Sequence, residues 1–173
     1  MYLNFYPINT KRTMLNPHQK LSNAQLAALL ILRVVIGWHF LYEGITKLLN
    51  PNWTSVGYLM DSKGFLSGFY HSLAASPKLL PVIDALNEWG LVLIGVALIM
   101  GLFTRWAIYG GMLLLAMYYF SHPPFIGLTY ALPSEGSYLF IDKVAIEFFA
   151  MWALSLFPTG KIIGFDRLLV KTK

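Results

Sequence analysis

Four long apolar runs, each bounded by charges or turn residues, divide this chain. A run of about 20 such residues is what an α-helix needs to cross the roughly 30 Å hydrocarbon core of a bilayer. The first covers about 24–49, with Ser22 or Asn23 placed to cap its start. The second, about 84–103, contains LVLIGVALIMGLF without a charge, and the third, about 106–120, begins directly after Arg105. The fourth, about 138–157, stops at Pro158 with Gly160 just beyond. This pattern predicts an all-α fold, a four-transmembrane-helix bundle over 24–157, preceded by a polar segment 1–23 and followed by a basic tail 158–173. The leader is long and polar, and no small-x-small site follows the first run, so that run reads as an uncleaved span and not as a signal peptide.

The connections differ in character. In the long segment 50–83, Phe65, Phe69 and Leu73 recur at helical spacing, which predicts a short interfacial helix over about 65–76. The segment 122–137 holds two adjacent prolines, Gly127, Pro133 and Gly136, which predicts irregular chain. Both emerge at the same end of the bundle and together form a cover over it.

Composition agrees with a membrane solvent. Of the 173 residues 57% are hydrophobic and 12% charged, whereas soluble domains carry about 25% charged residues. With no cysteine, the chain has no disulfide, thiolate nucleophile or Cys-based metal site of its own. The net charge of +5 is a topological signal once placed on the spans. Lys11, Arg12, Lys20, Arg105, Lys161, Arg167, Lys171 and Lys173 share the face of the two termini, with only Asp166 against them. The other face holds Lys47, Lys63, Lys78 and Lys143 against Glu43, Asp61, Asp84, Glu88, Glu135 and Asp142. The positive-inside rule puts both termini in the cytoplasm, as for a multi-pass protein of a bacterial-type inner membrane. The basic rim then meets anionic lipid headgroups, and nucleic acid is not an expected partner.

Charges inside a span need a partner or a function. Arg33 and Glu147 each lie nine residues from the start of their run, roughly 13 Å in, on helices of opposite direction, so a buried ion pair is expected between them. Relative to Arg33 on a helical wheel, Lys47, Glu43 and His39 fall at about −40°, −80° and −120° and share a face. Glu88, Asp142 and His122 stand at the same outer level. The candidate site is therefore an outward-facing polar cavity lined by Glu43, Lys47, Glu88, Asp142, His39 and His122. Carboxylates beside Lys and His can bind an anion, relay protons or hold a quinone ring through its carbonyls, and these residues leave all three open. Two separated histidines without a Glu-x-x-His motif do not make a metal or haem site, so no metal is expected.

LRVVIGWHFLYEGITKLLNP, with Arg33, Gly37, Phe40, Gly44 and Lys47 on one stripe, resembles the first-helix signature of the DoxX family of small membrane proteins. EWG followed by GLFTR is similar to that family's second helix and turn, and GKIIGFDRLL to its C-terminal segment, which brings Arg105 and Asp166 into the motif. NPNW and GYL lean toward the DoxD-like branch, the small-subunit type of thiosulfate:quinone oxidoreductase. The resemblance implies a four-helix membrane bundle and, for that branch, a partner subunit and quinone reduction. The resulting expectation is a membrane subunit of a redox-linked assembly, holding a quinone or small anion and acting with a partner protein or as a homo-oligomer. The alternative is a non-enzymatic scaffold or assembly subunit, or a small solute carrier.

Overall fold

The computed structural model describes residues 21–131 and 139–169. Lys11, Arg12, Lys20, Glu135, Lys171 and Lys173 lie outside the described residues, as does the start expected for the fourth run. Among the described residues the chain is helical without strands: α1 (Asn23–Leu48), α2 (Val56–Met60), α3 (Ser67–Ala74), α4 (Leu80–Met100), α5 (Thr104–Ser121), α6 (Lys143–Ser155), α7 (Thr159–Ile162) and α8 (Asp166–Leu169).

Local chemistry sets the helix bounds. Ser22 starts α1 with a capping box, its hydroxyl accepting from the Gln25 N–H while its own N–H donates to the Gln25 side chain. Helix α4 begins at Leu80, ahead of the expected Asp84, because proline in the first turn has φ preset and needs no N–H partner there. It ends at Gly101, whose φ of 67° is the left-handed cap that glycine adopts without a steric penalty. Helix α6 begins only at Lys143, because the Asp142 carboxylate caps it by accepting the Ala145 N–H at 2.8 Å.

The buried positions of α1 (Arg33, Ile36, Gly37, Phe40 and Gly44) form one helical stripe. That stripe meets α4 so closely that a Cβ on Gly95 would stand 2.5 Å from the Leu41 amide nitrogen, which is why glycine is required. Ile36 and Phe40 of α1, Leu91 and Leu98 of α4, Ile108 and Leu115 of α5, and Met151 and Leu154 of α6 share one core.

Apolar side chains also cover the outside. Trp38, Leu86, Leu93, Trp106, Leu113, Ile146 and Trp152 are all exposed. Among the described residues α1 and α4, of 26 and 21 residues and mean hydropathy 1.8 each, are long and apolar enough to cross a membrane. Less than a quarter of either apolar stretch is buried within the protein. In water this would be a large exposed apolar surface; in lipid it is the expected exterior.

The two ends of the molecule differ. At one, α2 and α3 pack around Leu59, Tyr70 and Ala74 and form a lid. The lid adds hydrogen bonds to the last carbonyls of α5, of which Ser121 O lies beyond the reach of the helix's own N–H groups. Tyr70 Oη donates to Met117 O at 2.8 Å, Tyr58 Oη to Tyr118 O at 3.3 Å, Ser62 Oγ to Ser121 O at 2.9 Å, and the Lys63 N–H to Ser121 O at 3.0 Å. At the other end, the α7–α8 segment folds over the α4–α5 turn as a clasp. The Asp166 N–H donates to Gly101 O at 2.8 Å, and its carboxylate accepts the Phe103 and Thr104 N–H groups at 2.6 and 3.0 Å. The segment 158–173, expected as a tail, is thus docked over residues 159–169.

Candidate functional site

On α1, His39, Glu43 and Lys47 succeed one another at four-residue intervals and so line one face near the lid. Lys47 Nζ donates to Glu43 Oε2 at 2.7 Å and to the Glu43 carbonyl at 3.1 Å. The same ammonium lies 5.8 Å from the Trp53 ring, within cation–π range. Across the gap to α6, His39 Nδ1 donates to both carboxylate oxygens of Glu147, at 2.8 and 3.0 Å, the tautomer following from the carboxylate partner.

These groups border a cavity of about 470 Å³, within the range of small-molecule sites. Its inner wall is apolar, made by Phe40, Leu91, Leu115 and Val144, and its polar rim includes Asn87, Tyr118 and Lys143. Trp53, Thr54, Ser55 and Tyr58 roof it from the lid. Asp84 pins that roof to α4 by accepting the Ser55 N–H at 2.9 Å, Ser55 Oγ at 2.5 Å and Thr54 Oγ1 at 2.8 Å. Asn87 Nδ2 donates to Tyr118 Oη at 2.6 Å, while its Oδ1 is buried without a partner. Asn87 therefore retains one amide atom that a ligand can satisfy.

Of the residues expected at the site, the structure brings together His39, Glu43 and Lys47. Glu88, Asp142 and His122 are not among the lining residues. Glu88 is rotated about 100° from the Asn87–Leu91 face of α4, and Asp142 is committed to capping α6. His122 stacks between Tyr58 and Tyr130, with ring centroids at 3.9 and 4.6 Å, and its Nε2 is 3.8 Å from Asp61 Oδ2. Burial pushes its pKa below the ordinary 6.5, and Asp61 offsets part of that effect.

The Arg33–Glu147 ion pair does not form. Because α6 starts at Lys143, Glu147 lies one turn from its end, at the level of His39, which takes it. Arg33, only 3% exposed, lies beside Gly101 at the opposite end of α4 and donates from Nη2 to Ile163 O at 2.9 Å. It holds the clasp and does not cross-link α1 to α6. Arg105 is exposed in the first turn of α5, and Asp166 serves the clasp.

Asn87, Tyr58, Tyr118 and the roof residues were not anticipated. Asn87 had a readable signal, since it precedes Leu91, Ile94 and Leu98 by four, seven and eleven residues and so begins their buried stripe. Among the described residues no group of three or more His, Asp or Glu could hold a metal ion.

The sequence profile of the DoxX family matches residues 28–123, more than half of the chain. No curated protein and no solved structure matches significantly.

Proposed function

Since the chain belongs to the DoxX family and is a membrane protein, we propose that it is the quinone-binding membrane subunit of a redox-linked assembly, of the DoxD-like type. In this reading α1, α4, α5 and α6 form a four-helix transmembrane bundle, both termini lie in the cytoplasm of a bacterial-type inner membrane, and the lid covers the outer end. The observation that carries it is the cavity under the lid, with polar groups on its rim and an apolar inner wall.

The residues present fit a quinone. Phe40, Leu91 and Leu115 offer an apolar surface, Lys47 offers a donor to a ring carbonyl, and Asn87 Oδ1 offers an acceptor to the hydroxyl of the reduced ring. A quinone, when bound, supplies the two-electron chemistry that a chain without cysteine does not have in its own thiols. Lys47 orients the head by donating a hydrogen bond, and Glu43 and the His39–Glu147 pair hold and move protons at the rim. A small anion fits less well, because Lys47 is already matched by Glu43 and His39 by Glu147. Electrons come from a partner subunit on the outer side.

Purified protein in nanodiscs binds decylubiquinone saturably on this reading. Lys47→Ala weakens that binding at least tenfold, the loss of one charge-assisted hydrogen bond being worth about 1.5–3 kcal/mol. Equal affinity of wild type and Lys47→Ala, or no saturation in either, refutes it.

A further inference from the structure

The seams between the helices around the cavity are unequal. Along α1 and α4 the backbones touch at glycines: a Cβ on Gly44 would meet the Val92 amide nitrogen at 2.8 Å, and one on Gly95 the Gly37 carbonyl at 2.7 Å. Nothing passes there. The lid is fastened to α5 by four hydrogen bonds and to α4 through Asp84, so the roof is held in place. Between α1 and α6 contacts are sparse, and the cavity wall there is formed by His39, Glu43, Lys143, Val144 and Glu147, with His39 Nδ1 bridging to Glu147. The His39 side chain is 52% exposed on the outer surface and Glu147 only 13%. The same histidine thus faces the cavity and the surroundings, flanked by the exposed Val35, Trp38, Tyr42 and Ile146.

Resting on the proposed membrane topology, we infer that the cavity opens sideways into the bilayer between α1 and α6, that the His39–Glu147 hydrogen bond is the latch of this portal, and that the occupant is an uncharged amphiphile arriving from the lipid phase. An imidazole facing hydrocarbon is unfavourable unless it is paired, and Glu147 pairs it while the portal is closed. When the latch parts, an incoming carbonyl accepts from the imidazole N–H, and Glu147 stays at the polar rim with Lys143, one turn away on α6. The charges on the wall compensate one another, so a charged head would have to break a pair, whereas a head with carbonyl or hydroxyl groups can use Asn87 and Lys47 directly. Its apolar tail lies along the seam, among the exposed side chains of α1 and α6.

The chain has no cysteine, so single cysteines report access without background. Leu115→Cys on the inner wall and Val144→Cys on the seam are reconstituted in vesicles. They are treated either with N-pyrenylmaleimide, which partitions into lipid, or with a disulfonated stilbene maleimide, which stays in water. The lateral portal predicts labelling of both positions by the pyrene reagent, sparing by the charged reagent, several-fold faster pyrene labelling when His39→Ala is added, and protection by saturating decylubiquinone. Labelling by the charged reagent at an equal rate overturns the portal, because access then runs through water under the lid; labelling of neither position by either reagent overturns it too. Pyrene labelling that decylubiquinone leaves unchanged keeps the portal but refutes the uncharged quinone-type occupant, and with it the proposed function.

Discussion

His122 is held between the phenol rings of Tyr58 and Tyr130, and Asp61 and Lys63 are the charges that act on it. Burial disfavours its imidazolium and the Asp61 carboxylate only partly compensates, so the folded protein holds the proton less tightly than the ordinary value of 6.5. Above 6.5 the residue is neutral in both folded and unfolded chains and its stabilising burial is fully present. As pH falls from there toward the lowered folded value, the unfolded chain binds the proton first and stability is lost. Amide exchange of the lid should therefore accelerate from neutral to mildly acidic pH, and His122→Gln should flatten that dependence. A wild-type lid with pH-independent opening across this window contradicts the assignment.

Each helix end has a local chemical cause, and these causes decide where side chains come to rest. The first turn of α5 is capped in trans by Asp166, and Phe103 takes a left-handed φ of 48° to present its N–H. Such a φ is unfavourable for a non-glycine residue, so the carboxylate holds the turn against local strain. Asp166→Ala should cost about 1–2 kcal/mol, the usual effect of losing a helix cap, and Asp166→Asn less, read from thermal unfolding in detergent. Unchanged stability in both variants would dissociate the clasp from the turn. The cap of α1 was legible in the sequence because Ser22 acts within a few residues of itself, whereas the second run was read through to residue 103, past the Gly101 cap that ends α4. The start of α6 was not legible either. Hydropathy continues through Phe140 and Ile141 and masked Asp142, although Asp is a residue type that favours caps. That shift of the helix start moved Glu147 from Arg33 to His39. Glu88 and Asn87 show the same limit from the other side: charge pointed to Glu88, while position on the buried stripe pointed to Asn87.

At the scale of the whole molecule, apolar residues cover both the inside and the outside, and the few charges gather at the two ends of one core. One end is a closed clasp around Arg33; the other is a roofed cavity with paired charges at its rim. The family and the helical membrane character could be read from hydropathy and from the spacing of Arg33, Gly37, Phe40, Gly44 and Lys47. The cavity could be placed only by end and by the α1 face, since its far walls depend on how four helices are offset along their axes, which no local pattern encodes. On this structure the cavity is a site for a membrane-derived amphiphile. The most direct measurement is the structure at high resolution of the protein extracted from its native membrane into nanodiscs. The expected density has its head beside Lys47 and Asn87 and a tail leaving between α1 and α6. A cavity containing only ordered water, or filled by collapse of the lid onto Phe40 and Leu115, would contradict it.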